Sequence, residues 1–405
     1  MVSKNKKPSI IVIGGAGHIG LPLSLCIANE GFPISIYDIN KENLKKIKAG
    51  IFPYKEEGGK QLLKKILKKK NFSISTQISE ITKRNIIIIC IGTPIDEYMN
   101  PIHSVIKECI DQILPYLKKG QLIILRSSIS PKTTEWVSKY INNKKKGIDV
   151  AYCPERVVQG ETIKEIKEIP QIIGVFNQKA FTKTLKVFSK ISKKIVKASP
   201  IEAELSKLFC NAYRYVQFSI SNQFYLISEA AGVNYKEIYK IMKKDYFRAA
   251  RIPTAGFSAG PCLFKDTMQL ASFFKNEFSL GQQAMLVNEG LVLSLSEKIA
   301  KNFPISKLNI GLLGMAFKAD SDDIRDSLSY KLKKKLEIDA KKVLTTDPYV
   351  KIDKNLMPLN EVINKSNLLI LCAPHKFYKE LNLKGKPVID VWGFLSSKKN
   401  NCKFF

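Results

Sequence analysis

Long hydrophobic runs are missing from this sequence. A stretch such as Ile86 to Ile91 falls far short of the roughly 18 residues that a membrane-spanning helix needs, so no membrane partner is expected. Acid is scarce: 36 Asp and Glu stand against 66 Lys and Arg, a net charge of +30. A nucleic-acid partner would call for cations clustered with interleaved aromatics. The lysines come instead in short scattered runs, Lys4 to Lys7, Lys64 to Lys70, Lys144 to Lys146 and Lys333 to Lys335. They read as a solvated basic surface whose general field draws in a phosphorylated substrate. Paired cysteines are absent too. The eight Cys stand singly with no CxxC, which argues against a structural zinc site, leaves no metal expected, and points to a reducing cytoplasm. Met1 to Lys7 is basic, but a Gly-rich turn follows its short apolar stretch, unlike a signal peptide.

What is present is an ordinary globular mixture, 45% hydrophobic and 25% charged, in a chain long enough for two or three domains. Ser9 to Ile13 reads as a buried strand. It runs into Gly14-Gly15-Ala16-Gly17-His18-Ile19-Gly20, an apolar helix from Leu21 to Asn29, and a second strand, Pro33 to Tyr37, ending at Asp38. A GxGxxG turn between strand and helix is a dinucleotide cradle. Gly15 allows the tight turn, Gly17 lets pyrophosphate approach the backbone, and Gly20 allows close helix–strand packing. The helix start at Ile19 and Gly20 attracts the pyrophosphate. Asp38 is placed to bind the ribose 2′-hydroxyl, which selects NAD over NADP. His18 reads as a local turn residue.

Further strands, Asn85 to Ile91, Gln121 to Leu125 and Asp149 to Tyr152, end in Gly92-Thr93-Pro94, Arg126-Ser127-Ser128 and Cys153-Pro154-Glu155-Arg156. Thr93, Ser128 and Glu155 thus stand at strand carboxyl ends, where open α/β sheets bind ligands. Glu155 is either an acid–base group or a charge partner of Arg156. Ser199-Pro200-Ile201-Glu202 has the form of a capping box with proline in the first turn. The helix it starts meets no breaker before Gly232, about 32 residues or roughly 48 Å. A helix of that length spans a domain junction or builds an oligomer interface. On it Lys207 and Asn211 share a face with Glu204, among Leu205, Leu208, Phe209, Ala212 and Val216. Polar residues lodged among apolar ones mark either a site or a solvated edge.

The chain then reaches Gly260-Pro261-Cys262-Leu263-Phe264-Lys265-Asp266. With a helix starting at the cysteine, Lys265 and Asp266 follow on its face. A thiol at a helix N-terminus beside a lysine has a lowered pKa and is a nucleophile; the alternative is a small buried hydrophobe beside a surface Lys–Asp pair. A helical run continues to Lys301. From Leu308 a second α/β pattern begins, with strands Leu308 to Leu313, Val343 to Thr346 ending at Asp347, Leu368 to Cys372, and Val388 to Val391. It has no GxGxxG, and instead Phe317-Lys318 and Asp322-Asp323-Ile324-Arg325-Asp326-Ser327. Two nucleotide-type domains flanking a helical middle point to two bound nucleotides, one of them carrying the substrate.

In this order, from the GxGxxG turn through Gly92-Thr93-Pro94, Cys153-Pro154-Glu155-Arg156, Lys207/Asn211, Gly260-Pro261-Cys262 and Lys265-Asp266 to Phe317-Lys318 and Asp323-Ile324-Arg325, nearly the whole chain resembles the nucleotide-sugar 6-dehydrogenases. That group contains UDP-glucose and UDP-N-acetylmannosamine dehydrogenases. The resemblance implies an α/β fold of two Rossmann-like doubly wound domains joined by a long central helix and a helical dimerisation domain. The expected divisions are 1–198 for NAD, 199–303 for the dimer interface and the nucleophile, and 304–405 for the nucleotide sugar. It implies a cytoplasmic homodimer or higher homo-oligomer that oxidises a sugar C6 alcohol to a carboxylate with two NAD. Cys262 matches the nucleophile, Lys207 the oxyanion stabiliser, Asp266 and Asn211 the residues that order water or move protons, and Glu155 a general acid or base. Thr93, Ser128, Lys265 and Arg325 match cofactor contacts. Lys207, Asn211, Phe257, Gly260 and Lys318 fall to the substrate, with Arg248 reaching a partner's site.

The sugar stays open. UDP-glucose enzymes carry a second Glu where this chain has Gln159. Pro154 to Val157 is similar to the N-acetylhexosamine enzymes, and Pro261 before the nucleophile leans toward the glucose type. UDP-glucose, UDP-GlcNAc, UDP-ManNAc and GDP-mannose all remain. Two readings compete with the enzyme so described: a two-electron hydroxyacid or 6-phosphogluconate-like dehydrogenase, which needs no cysteine, and a basic NAD-sensing or nucleic-acid-binding protein.

Overall fold

Branched aliphatic residues set the first sheet. β1 (Ile10–Ile13), β2 (Ile34–Tyr37), β3 (Phe72–Ser75), β4 (Ile86–Ile89), β5 (Leu122–Leu125), β6 (Asp149–Tyr152), β7 (Gln171–Val175) and β8 (Ile195–Ala198) pair in the order β3-β2-β1-β4-β5-β6-β7-β8. All pairs are parallel except β6 with β7. Strand alternation sends Ile10 and Val12 to one core and Ile11 and Ile13 to the other, so both faces are covered, as a parallel sheet requires. Each fully buried Ile contributes about 1.5–3 kcal/mol. A computed structural model describes residues 7–395 and the backbone of 402–403. Of the basic segment Met1 to Lys7, all but Lys7 lies outside the described residues.

The second sheet runs β10 (Lys342–Thr346), β9 (Asn309–Leu313), β11 (Leu368–Leu371), β12 (Val388–Asp390) and β13 (Cys402–Lys403), in that spatial order and all parallel. Both sheets place their first strand between their second and a later one. That arrangement is the doubly wound one, with its ligand crevice at the reversal point.

The long helix covers Pro200–Ala230, 31 residues, or roughly 46 Å. Its start is a reciprocal capping box: Glu202 Oε2 accepts both the Ser199 N–H and hydroxyl at 2.7 Å, and the Glu202 N–H points back to Ser199 Oγ at 3.4 Å. It stops at Gly232, whose φ of +70° a glycine takes without strain. By compactness the chain falls into two units, Met1–Cys210 and Asn211–Phe405. In the second, Phe257, Leu291, Val292, Leu295 and Ile299 share one core with Ile310, Leu312, Leu368 and Ile370. Among the described residues no helix is long and apolar enough to cross a membrane.

Candidate active site

In the first unit the turn after β1 has the shape of a dinucleotide cradle, with one correction to the sequence reading. The left-handed residue is Gly14, with φ +75°, where a Cβ would stand 2.4 Å from the Cys90 carbonyl oxygen. Gly15 is needed for packing instead, since its Cβ would meet Ile36 at 2.5 Å. Gly20 touches the turn itself, 2.1 Å from Gly14 O, while a Cβ on Gly17 would meet only Gly14 O, at 3.3 Å. That leaves an open backbone face at Gly17, flanked by Ile19 and Gly20 at the helix start, which fits a pyrophosphate. Asp38 closes the cradle: Oδ2 accepts the Ala16 N–H at 2.9 Å and Oδ1 the Asn40 N–H at 2.8 Å. Its lone pairs are not exhausted, so a ribose hydroxyl has an acceptor. These residues fit NAD. His18 packs on Tyr54 with ring centroids 4.0 Å apart and bonds to Gln159 at 2.9 Å, as a turn residue does.

Strand ends of the same sheet bring Thr93 and Ser128 together, the Thr93 hydroxyl donating to the Ser128 carbonyl. Glu155 pairs with the buried guanidinium of Arg126. This corrects the alternative in which Arg156 is its partner: the Arg156 side chain donates to the Pro170 carbonyl instead. Arg126 also donates to Cys153 O at 2.9 Å and Gln171 Oε1 at 2.6 Å. The sequence signal for it was a lone arginine directly after an apolar strand. Glu204 holds backbone groups of its own unit. Its carboxylate accepts the Lys132 and Thr134 N–H groups at 2.7 and 2.8 Å and caps a neighbouring helix. Lys207 is 8% exposed and no hydrogen bond or ion pair to it is present among the described residues. A lysine so largely enclosed, with no anion in the fold beside it, is a candidate to meet a charged group of a ligand. Phe209, read as a core neighbour, is exposed instead.

In the second unit Cys262 is the N-cap of the helix Leu263–Phe273 and is exposed. The Asp266 N–H closes the first helical bond to its carbonyl at 2.9 Å. Asp266 is fully buried and held on both sides, by Lys265 Nζ at 2.6 Å and Asn211 Nδ2 at 2.6 Å. Arg325 lies within electrostatic reach of the thiol. Burial works against its charge, but the Asp323 carboxylate and the negative charges at Cys262 and Asp326 outweigh this and hold the guanidinium above its ordinary value. Asp323 clasps it in a fork, Nε at 3.0 Å and Nη2 at 2.6 Å. The sequence reading gave Arg325 to the cofactor and did not anticipate its coupling to Cys262.

Gly260, with φ +107°, lies against the Phe317 ring, which a Cβ would meet at 2.3 Å. That contact brings the loop before Cys262 against Phe317. Gly256 is blocked in the same way by Trp392 at 2.3 Å. Its N–H donates to the buried Asn222 Oδ1 at 2.8 Å, and Asn222 Nδ2 donates to Asn288 Oδ1 at 2.9 Å. The sequence reading missed this amide chain, because nothing in the spacing of two asparagines announces it. Phe257 is 3% exposed within the core, so any substrate contact from it falls to its backbone. Arg248 lies on the exposed turn Phe247–Ala249, its guanidinium 4.6 Å from the Phe247 ring centroid.

A dinucleotide cradle in one sheet, a second doubly wound sheet, and a helix-start thiol backed by a buried carboxylate and an arginine define the dehydrogenases built from two Rossmann-like halves. Three models of the UDP-glucose/GDP-mannose dehydrogenase family match in order: the NAD binding domain at residues 9–192, the central domain at 201–290 and the UDP binding domain at 311–397. UDP-N-acetyl-D-mannosamine dehydrogenase of Pyrococcus horikoshii is 30% identical over 386 residues, covering 92% of this chain and 91% of that protein. The protein of that name from Methanocaldococcus jannaschii is 30% identical over 406 residues, covering 98% and 92%. The solved structure of the P. horikoshii UDP-D-ManNAc dehydrogenase superposes with a TM-score of 0.88 at 29% identity over 96% of each chain. A UDP-glucose dehydrogenase from Pyrobaculum islandicum shares the fold, with a TM-score of 0.87 at 22% identity over 100% and 98%. The chain belongs to the UDP-glucose/GDP-mannose dehydrogenase family, and is an NAD-dependent nucleotide-sugar dehydrogenase.

Proposed function

We propose that the chain oxidises the C6 alcohol of UDP-N-acetyl-D-mannosamine to the carboxylate in a four-electron reaction that passes through Cys262. The observation that carries this reading is the exposed Cys262 at a helix start, coupled to Arg325 and followed by the buried Asp266. A simple alcohol dehydrogenase needs no such thiol. The choice of sugar rests on the names of the relatives at 30% identity. The cradle of Gly15, Gly17, Ile19, Gly20 and Asp38, with Thr93 and Ser128, holds NAD, which accepts a hydride at each of two oxidations.

Glu155 takes the C6 hydroxyl proton as the first hydride leaves and an aldehyde forms. The Cys262 thiolate adds to that aldehyde to give a thiohemiacetal. Its oxygen, stabilised by the Lys207 amine, collapses as the second hydride leaves, and a thioester remains. Asp266, held by Lys265 and Asn211, orients water, which displaces the thiolate and releases the uronate. Lys318, Asn211, Gly260 and the Phe257 backbone hold the nucleotide sugar. The long helix supplies a homodimer interface, and Arg248 reaches the partner's substrate. The buried, unpaired thiols fit a cytoplasmic home.

NADH formed per sugar consumed tests the reading, with UDP-ManNAc, UDP-GlcNAc, UDP-glucose and GDP-mannose offered in turn. Two NADH per sugar are expected from UDP-ManNAc, and at most one from Cys262→Ala, with the sugar stopping at the aldehyde. One NADH per sugar, with Cys262→Ala fully active, would leave a two-electron dehydrogenase and remove the thiol from the mechanism. No NADH from any sugar, with NAD bound, would leave a sensor.

A further inference from the structure

The second sheet carries an aspartate where the first carries Asp38. β10 neighbours β9 as β2 neighbours β1, and Asp347 follows β10 as Asp38 follows β2. The two carboxylates keep different company. Asp347 has no exposed side-chain surface. Its Oδ2 accepts the Met315 and Ala316 N–H groups at 2.7 and 3.0 Å, and its Oδ1 the Tyr349 and Val350 N–H groups at 2.8 and 3.1 Å. In a dinucleotide-binding domain the remaining acceptor capacity goes to a ribose hydroxyl. Here a protein group takes it: His375 Nε2 lies 3.0 Å from Asp347 Oδ2.

His375 is itself fully buried, with Tyr349 edge-on to its ring at 5.0 Å and Tyr378 at 5.5 Å. Its Nδ1 accepts the Asp320 N–H at 2.8 Å. One nitrogen must therefore donate and the other accept, which fixes the tautomer with the proton on Nε2. Asp320 sits at φ +53°, a conformation a non-glycine residue keeps only when its surroundings hold it there. The Lys376 N–H adds a bond to Asp320 Oδ1 at 3.1 Å. The segment 315–320 is thus tied at both ends to the Asp347–His375 pair, and Phe317-Lys318 lies between the ties. From there the Phe317 N–H donates to Asp323 O at 3.0 Å, and Asp323 clasps Arg325.

We propose that His375 is a positioning residue: it holds the Phe317–Arg325 loop in the shape that binds the nucleotide of the sugar, and by occupying Asp347 it closes the second domain to a dinucleotide ribose. This deepens the functional reading above and rests on it for the role of Lys318.

Two amide substitutions separate the two bonds of the ring. His375→Asn sets an acceptor oxygen near the place of Nδ1, keeping the Asp320 tie. His375→Gln sets a donor near the place of Nε2, keeping the Asp347 tie and stranding the Asp320 N–H. UDP and NAD binding are measured separately by calorimetry, with KM for each substrate. His375→Gln is expected to weaken UDP about tenfold, the effect of one stranded buried donor, and to raise KM for the nucleotide sugar alike. His375→Asn is expected within about threefold of wild type. NAD affinity at the first cradle should hold in both; His375→Gln should keep one NAD per chain, whereas His375→Asn, which uncovers Asp347, should admit a second, weaker one. Equal UDP affinity in Gln, Asn and wild-type proteins overturns the proposal, as does NAD weakening in step with UDP. If neither variant folds, hydrogen exchange in the wild-type protein decides. Slow exchange across 315–326 supports the tie; free exchange there, with β9 protected, refutes it. Failure of the functional reading shows elsewhere, as wild-type protein that makes no NADH from any nucleotide sugar.

Discussion

Cys262 is one of seven described cysteines without a disulfide, and its surroundings single it out. Burial pushes the thiols of Cys26, Cys90, Cys109 and Cys153 up to about 12, and that of Cys372 up as well. Cys262 is exposed, stands at a helix start, and faces the positive charge of Arg325. Removing that charge disfavours the thiolate, so Arg325→Leu should move the alkylation–pH curve of Cys262 to higher pH by about one unit. At fixed neutral pH the rate with iodoacetamide should fall about tenfold. The measurement is best made on a Cys210→Ser background, because Cys210 is also exposed. An unmoved curve would show that Arg325 does nothing for the thiol and acts elsewhere.

Among the elements, the loop before Cys262 depends on the long helix through buried amides. Asn222 and Asn288 are both fully buried, and Asn222 carries the Gly256 N–H. Asn222→Ala strands that donor and Asn288 Oδ1 together, a loss of about 3 kcal/mol at 1–3 kcal/mol per stranded group. Urea unfolding should show it, and Asn288→Ala should add little on top because the two share one bond. A loss under about 1 kcal/mol would mean that the loop is held by its aromatic neighbours alone. At this scale the sequence was most legible where one force acts. The capping box at Ser199, the strands of unbroken Ile and Leu, and the glycine turn before Gly20 all follow from local chemistry. The strands β3, β7 and β8 were not read. β3 and β8 are half-exposed sheet edges with polar residues interleaved, and β7 carries an internal glycine. The helix start at Cys262 and the place of Asp266 on its first turn were legible because a helix start and a four-residue spacing are local. The partners of Glu155 and Asp347 were not, since Arg126 and His375 reach them through sheet order rather than sequence distance.

For the whole molecule, one face of the long helix lacks cover. Phe209, Tyr213, Ile220, Phe224 and Ile227 are all exposed, and at 100° per residue they fall within about 60° of one another. A stripe of that composition on a 31-residue helix is the surface that the proposed homodimer would bury. Phe224→Glu should halve the mass seen by light scattering at micromolar concentration while circular dichroism stays unchanged. An unchanged mass for this variant would place the contact on another surface.

The sealed carboxylate of Asp347 has a consequence in time. In the proposed four-electron oxidation, one cradle cannot supply both hydride acceptors at once. The half-oxidised sugar would then have to outstay a change of cofactor. A bond to Cys262 and a firm grip on the diphosphate are two ways to lengthen that stay. An enzyme built like this is better described by what it refuses to let go than by how fast it turns over.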